Sequence, residues 1–414
     1  MSLLAHDLFE TSETISTRYL GEHRGLVRQI STPSGRRVSS VAGQGVTIVG
    51  EGYDAAWLRS ASWPELSRQR SKIAVADLFS GSGGMTLGAW EAARALELEL
   101  QPVLAIDNDE DAISVYRRNF EPERSFACGI EEVVDGELGA PTTEAERRMA
   151  RGLSTLDLLL AGPPCQGHSD LNNHTRREDP RNALVMRVAR FAELFSPTHI
   201  VVENVQGVRH DRSEAFARCR AKLETLGYGV ELFLLQGAEV GVPQRRRRCF
   251  MVASRRATIG LEGLSGHFSS HERTFDWACG DLGLGEGVFD TAANVSSTNA
   301  ARMRFLIDND LFELPNSERP DCHRLKPHGY ASVYGRLRPD AAAPTITTGF
   351  GSPGQGRYTH PREPRTLTPH EAARLQFFPD FFDFGVTMRK RLQKLIGNAV
   401  PPKLIYPILL ELLA

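Results

Sequence analysis

A cysteine follows two prolines in Pro163-Pro164-Cys165-Gln166, directly after the apolar run 156–161. The run reads as a buried strand. A thiol at the carboxyl end of such a strand, on a loop stiffened by proline, is placed to react rather than to pack. It serves as a nucleophile only as thiolate, so donors or positive charge must lie nearby. Two further groups suit the same chemistry. Glu203 follows the apolar stretch 199–202, where a partly desolvated carboxyl can hold or donate a proton. Gln244 is followed by four arginines, Arg245 to Arg248, ahead of the strand 249–253. If that strand begins near Gln244, alternation puts Arg246 and Arg248 on one face and Arg245 and Arg247 on the other.

The elements that must position these groups alternate in type. Strands are expected at 73–79, 103–106, 156–161, 199–202, 230–235 and 249–253, with helices at 85–98 and from Asp109 through Tyr116. This order predicts an α/β fold built on a doubly wound, mostly parallel, Rossmann-like sheet. Ligands collect at the carboxyl ends of strands in such sheets. The glycine-rich turn Ser80-Gly81-Ser82-Gly83-Gly84 follows the first of these strands. Glycines there let a backbone turn sharply and come close to a ligand. Asp107 ends the second strand and could accept hydrogen bonds from two ribose hydroxyls. The glycine spacing is not Gly-x-Gly-x-x-Gly, which disfavours a nicotinamide cofactor.

Segments 1–71, 72–253, 254–364 and 365–414 differ in character. The first carries no chemical motif; 46–49 reads as a short strand and 31–40 as turn-rich, and it is taken as an accessory segment. Segment 72–253 carries the strands and the reactive residues. Segment 254–364 is rich in Gly, Pro, Ser and Asn and reads as a second, smaller, loop-rich domain. Segment 365–414 returns to helix at Pro369–Leu375 and 405–413, around Gly397-Asn398-Ala399-Val400-Pro401-Pro402.

With 414 residues, 41% hydrophobic and 24% charged, the chain has the composition of an ordinary soluble protein. It has no apolar run of membrane-spanning length, and residues 1–7 lack a basic region followed by a long apolar core, so no secretory signal is expected. Its six cysteines include no Cys-x-x-Cys pair, which points to neither a zinc cage nor a disulfide framework. A reducing, cytoplasmic setting is expected. The net charge of -2 hides a basic stretch from Arg209 to Arg256, with eleven Arg or Lys against five acids. Such a stretch could form a patch for phosphates.

Taken in order, these pieces resemble the DNA (cytosine-5)-methyltransferase family. The resemblance runs from about Ile73 to Leu404. Its motifs are Asp77-Leu-Phe-Ser-Gly-Ser-Gly-Gly84, Gly162-Pro-Pro-Cys-Gln166, Glu203-Asn-Val205, Gln244 to Arg248, Arg336-Leu-Arg-Pro with Pro344-Thr-Ile-Thr-Thr348, and Gly397-Asn-Ala-Val-Pro-Pro402. It implies a flipped-out cytosine in double-stranded DNA as substrate and S-adenosyl-L-methionine as methyl donor. No metal is implied. Cys165, Glu203, Arg246 and Arg248 would be the catalytic set, with Arg246 supporting the active-site loop. Phe79 would stack near the adenine, Gly81, Gly83 and Gly84 would line the methionine part, and Asp107 would bind the ribose. Asn108, Ile130, Pro164, Asn398 and Ala399 would complete the cofactor-binding set. Gln166 and Ser169 would sit beside the DNA backbone. A monomer, with a cognate restriction endonuclease as biological partner, fits the bacterial form of the family.

Three departures stand out. The family's adenine-contacting acid is missing at Cys128-Gly129-Ile130, where Glu131 is the nearby substitute. His168 stands where a bulky apolar residue is commoner. Only 82 residues separate Ala253 from Arg336, so the target-recognition region is small. Candidate DNA-reading residues there are Arg302, Arg304, His323, Arg324 and Lys326. Methylation of tRNA by the same chemistry, a catalytically idle DNA-binding protein, and, more distantly, a nicotinamide oxidoreductase remain as alternatives.

Overall fold

The computed structural model describes residues 13–20, 23–31, 35, 37–42, 52–64, 71–153, 155–164, 183–210, 214–256, 264, 272–325 and 332–414. The expected strand 46–49, the residues Cys165, Gln166, His168 and Ser169 expected on a loop, and Lys326 lie outside the described residues.

Three strands open the chain: β1 (Glu13–Leu20), β2 (His23–Ser31) and β3 (Arg37–Ala42). They pair as an antiparallel sheet in the order β1-β2-β3. Of the stretch 31–40, expected to be turn-rich, the described residues are Ser31 at the end of β2, Gly35 in a bend with φ 85°, and 37–40 in β3. Across the hairpin Arg28 lies opposite Ser40, Gln29 opposite Ser39 and Ile30 opposite Val38. Helix α1 (Gly52–Leu58) follows, and every residue from Tyr53 to Leu58 is buried.

The main body is an α/β sandwich. Its strands are β4 (Ser71–Leu78), β5 (Leu98–Asp107), β6 (Arg124–Ala127), β7 (Leu158–Ala161), β8 (His199–Val205), β9 (Gly229–Gln236) and β11 (Arg247–Ser254). A short strand, β10 (Gln244–Arg245), precedes β11 and pairs away from this sheet with β12 (Ala343–Pro344). The seven main strands run in the order β6-β5-β4-β7-β8-β11-β9, parallel except where β11 meets its two neighbours. The order reverses between β4 and β7, which places the crevice there, at the carboxyl ends of both strands.

The apolar runs of β4, β7 and β8 are continuous because both sheet faces are covered. Val75, Leu158, Leu160 and Val201 face one core, with α2 (Gly84–Ala95) and α3 (Glu110–Phe120). Ala76, Leu159, Ile200 and Val202 face a second core, with α4 (Glu144–Ala150), α5 (Val185–Phe195) and α6 (Ala215–Thr225). Full burial of each Val or Leu contributes about 1.5–3 kcal/mol. The sheet is thus doubly wound, as expected. The first predicted helix ends three residues early: Glu97 takes a left-handed conformation (φ 58°), and β5 begins at Leu98. The short strand β6 was not anticipated; its residues are only half-buried at a sheet edge, so its apolar signal is weak.

Beyond Ser254 the described chain has short elements, including α7 (Phe275–Cys279), α8 (Ser297–Asp308) and α9 (Asp321–Arg324). It then returns to the first core through α10 (Pro369–Leu375), α11 (Arg389–Asn398) and α12 (Pro402–Leu413). Helix α10 is set by a capping box, in which the Thr368 side chain accepts from the Glu371 amide and the Glu371 carboxylate from the Thr368 amide. Helix α12 lies along α2. The approach needs glycine: a Cβ at Gly88 would collide with Ile405 Cγ2 and the Pro402 carbonyl. Gly88→Ala is therefore expected to lower stability by about 1–3 kcal/mol through overpacking. Urea denaturation would show it as a lower midpoint at unchanged slope.

Candidate active site

The glycine-rich turn begins where β4 ends. Phe79 (φ 56°), Gly81 (φ 53°) and Gly83 (φ 90°) all take left-handed conformations. Gly81 needs glycine for its backbone, and no atom lies within 4 Å of where its Cβ would be. The turn therefore faces open space at this point. Gly83 is packed differently, since a Cβ there would strike the Phe120 ring. Gly84 starts α2, and a Cβ on it would strike the Val400 carbonyl. Gly81 thus looks onto open space, while Gly83 and Gly84 admit close neighbours behind it.

The end of β5 is tied to this turn. Asp107 Oδ2 accepts from the Gly81 amide at 2.8 Å, and its Oδ1 accepts from the Asp109 amide at 2.9 Å. Each oxygen has a lone pair left for a further donor. Burial, chiefly, raises the Asp107 pKa, against the pull of those two amides. Asn108 is exposed, Ile130 is buried in the turn after β6, and Glu131 is exposed beside it. Pro164, half-buried, is the last described residue after β7. The Gly162 amide donates to the Leu78 carbonyl at 3.1 Å, so the strand leading to Cys165 emerges beside the glycine turn.

Behind the turn lies a buried polar group that sequence patterning did not single out. Asp77 is fully buried, and its Oδ2 accepts from the Thr86 hydroxyl at 2.7 Å. Thr86 in turn lies 2.9 Å from the Tyr116 hydroxyl. Asp77 Oδ1, Ser80 Oγ and Ser82 Oγ are buried without a hydrogen-bond partner among the described residues. Buried polar atoms are rarely left so. Three of them beside an open glycine turn fit a polar ligand such as S-adenosylmethionine. The available signal was an acid inside an otherwise apolar strand.

Glu203 and Arg248 meet on neighbouring strands. Glu203 was expected just after its strand, yet it lies inside β8 and is 8% exposed. Parallel pairing with β7 stops at Val202, but antiparallel pairing with β11 continues to Val205. Glu203 sits opposite Phe250, and Arg248 is two residues away on the same face. Arg248 Nε lies 2.7 Å from Glu203 Oε1. The contact is an ion pair without hydrogen-bond alignment, and Oε1 has no other partner among the described residues. Arg248 Nη1 donates to the Arg247 carbonyl at 2.8 Å.

The arginine run alternates as expected: Arg246 is buried, Arg245 and Arg247 are exposed, and Arg248 is half-buried. Arg245 pairs with Glu272 at 2.8 Å. Arg246 Nη1 donates to the Ile346 carbonyl at 3.0 Å. Gln244, fully buried, binds the Ile346 amide, the Leu375 carbonyl and the Gln376 side chain. Gln376 passes the link on to the Ile396 and Ala399 carbonyls. Two buried amides therefore join the arginine run to the end of α11, where Ala399 is buried and Asn398 exposed. Gln376 lies outside every motif, so its part emerges only from packing.

The basic stretch 209–256 does not make one patch. Arg248 and Arg255 stand near opposite ends of β11, roughly 20–25 Å apart at strand rise. Lys222 pairs with Glu193 and Arg220 with Glu224. Of the candidate DNA readers, Arg304 is exposed on α8 and His323 is half-buried. Arg302 is engaged with Asn299 and the Glu318 carbonyl, and Arg324 with Asp321.

The family model for C-5 cytosine-specific DNA methylase matches residues 73–414. The chain belongs to the C-5 cytosine-specific DNA methylase family. The methylase is 52% identical over 361 residues to the Type II methyltransferase M1.BsuMI of Bacillus subtilis, covering 87% of this chain and 84% of that protein. It is 32% identical over 342 residues to the Type II methylase M.HgiDII of Herpetosiphon aurantiacus, covering 79% and 91%. The Dnmt2 methyltransferase of S. pombe shares its fold, with a TM-score of 0.52 at 18% identity, covering 83% of this chain and 98% of that one. The methylase is accordingly a DNA (cytosine-5)-methyltransferase, and no helix among the described residues is long and apolar enough to cross a membrane.

The buried Asp77 makes a pH prediction. Burial first, and the Asp107 carboxylate, push its carboxyl from 3.8 up to about 8, while the Thr86 hydroxyl opposes them. The unfolded chain releases this proton near pH 4 and the folded one near pH 8. The native state thus holds the extra proton between those values, and its stability falls as pH rises through that window. The slope from this one group reaches at most about 1.4 kcal/mol per pH unit. Asp77→Asn should remove this component, so denaturation midpoints at pH 5 and pH 8 should lie closer together than in the wild type.

Proposed function

We propose that the chain methylates carbon 5 of a flipped-out cytosine in double-stranded DNA through a covalent Cys165 adduct, as the modification enzyme of a Type II restriction-modification system. The Glu203–Arg248 ion pair, 2.7 Å across and largely withdrawn from water, carries this reading. It stands on β8, next to the strand that leads into Pro163-Pro164-Cys165. The Type II assignment draws on the two bacterial relatives.

Carbon 5 of cytosine is too electron-poor to take a methyl group unaided. Addition of the Cys165 thiolate to carbon 6 forms a carbon–sulfur bond and moves electron density to carbon 5. Glu203 holds a proton at ring nitrogen 3, and Arg248 donates to the ring carbonyl oxygen, so both offset the charge that addition drives into the ring. S-adenosylmethionine, when bound, supplies the methyl group. Loss of the carbon 5 proton to a base then lets the carbon–sulfur bond break, which frees Cys165 and leaves 5-methylcytosine. Arg246 holds 346, and through it the strand pair β10–β12, beside these residues. The turn 79–84, Asp107, Asn108, Ile130, Pro164, Asn398 and Ala399 form the cofactor side of the site. The cytosine must leave the duplex to expose its ring faces. Segment 254–364 reads the target, with Arg304 and Arg324 the exposed candidates among the described residues. The setting is the cytoplasm, the chain acts as a monomer, and a cognate endonuclease reads the same sequence.

Cys165→Ala is expected to abolish 5-methylcytosine formation on duplex DNA. Wild-type protein should form a covalent adduct with 5-fluorocytosine duplex DNA, stable to denaturing electrophoresis, and should leave tRNA unmodified. Undiminished methylation by Cys165→Ala would overturn the mechanism. Glu203→Gln should lower kcat by about 10²-fold or more, read in a methyl-transfer assay at saturating DNA.

A further inference from the structure

Asp54, on α1, gathers three cations from distant parts of the chain. Its Oδ1 accepts from Arg28 Nη1 of β2 at 2.9 Å and from Lys403 Nζ of α12 at 2.9 Å. Its Oδ2 lies 2.6 Å from Arg273 Nη1 and 2.8 Å from Lys403 Nζ. The carboxylate is only 7% exposed. A second set of contacts surrounds it. Arg28 Nη2 donates to the Tyr406 hydroxyl at 2.7 Å, and the guanidinium sits 4.1 Å from the centre of the Tyr53 ring. The Tyr53 hydroxyl donates to Glu91 at 2.7 Å and accepts from Arg94 at 2.7 Å. Glu91 and Arg94 belong to α2, and Lys403 and Tyr406 to α12. Residues 28, 53 and 54 precede the matched family region, 73–414. The N-terminal segment thus fastens two helices of the methylase body to each other.

Those two helices frame the cofactor side of the site. Helix α2 begins at Gly84, at the glycine turn. Helix α12 begins directly after Asn398-Ala399-Val400-Pro401. The α2 backbone meets the segment 400–405 at Gly84 and Gly88, where not even a methyl group could be inserted. A shift of the first turn of α12 is therefore passed directly to Val400 and the glycine turn. Buried ion pairs are poor stabilisers relative to apolar packing, so stability alone does not account for this one. Burial would push the Asp54 carboxyl up, but Arg273, Lys403 and Arg28 outweigh it and hold it well below the usual range. Burial chiefly, with Arg28 and Arg273, brings Lys403 down to about 8, and Asp54 is what opposes them.

We propose that Asp54 is a positioning residue for cofactor binding: through Lys403 it holds the start of α12, and hence 398–400, in register against the glycine turn at Gly84. The proposal rests on reading that turn as the S-adenosylmethionine site.

The test uses the full chain and two variants, Asp54→Asn and the double variant Asp54→Asn/Lys403→Met. Calorimetric titration with S-adenosylmethionine, the thermal midpoint, and separate KM values for S-adenosylmethionine and DNA are measured. Asp54→Asn is expected to weaken S-adenosylmethionine binding by about tenfold, with KM for DNA nearly unchanged. The double variant should regain part of the lost thermal stability, because the buried ammonium is gone while Arg28 keeps Tyr406 and Glu91, yet should still bind the cofactor weakly. If Asp54→Asn does not fold, the double variant carries the same comparison. Wild-type affinity in either variant would overturn the proposal and leave Asp54 a purely structural residue. Failure of the wild-type chain to bind S-adenosylmethionine would overturn the reading of the turn, and the proposal with it.

Discussion

Glu203 and Arg248 are kept together by strand register more than by their own attraction. Glu203 pairs with Phe250 across β8 and β11, so Arg248 falls on the same face one step along. A slip of one residue would carry Arg248 to the opposite face. The slip is blocked because each strand contributes to two cores at once. Val201 and Val252 face one core, and Val202 and Met251 the other. Moving either strand by one place would exchange side chains between two packed layers and put Glu203 among apolar neighbours. The chemistry at the strand ends therefore depends on close packing along their whole length.

The antiparallel strand β11 has a second consequence. Because it runs against β8, its first residues lie beside the last residues of β8. That brings the arginine run to the same edge as the carboxyl ends of the parallel strands. It also sends Arg255 and Arg256 to the far edge. One reversed strand thus decides which basic residues stand near the site and which do not.

The proposed cofactor side is assembled from segments distant in the chain. The glycine turn, the end of β5 and the segment before α12 meet because glycines let backbones approach where side chains would not fit. The Gln244–Gln376 link and the Asp54–Lys403 link tie this assembly to β10 and to the N-terminal segment. Both links are buried and polar, and such groups have few alternative partners once water is excluded. They act as geometric constraints more than as sources of stability.

Much of the methylase was legible in its residues. Continuous apolar runs marked β4, β7 and β8, since strands buried on both faces need no polar alternation. The alternation of strand with helix fixed the fold class. The order of short motifs, from Asp77-Leu-Phe to Gly397-Asn-Ala, identified the family. Cys165 and Glu203 stood out because reactive groups at the ends of apolar runs are costly to place without purpose. Other features stayed hidden. The three-stranded N-terminal sheet has no long apolar run, because its pairs mix serine, arginine and valine. Asp77 looked like the opening of a motif, and only its burial behind the turn shows it to be a fully desolvated acid. Gln376, Asp54 and Lys403 belong to no local pattern; their partners are 20 to 349 residues away in the chain. Sequence by itself determined the types of element, their order and the reactive groups they carry, because these follow from local periodicity and chemistry. Which groups meet, which arginines lie beside Glu203, and how the N-terminal segment reaches α2 and α12 were decided by the tertiary structure, because those contacts depend on register and burial between segments that no local pattern connects.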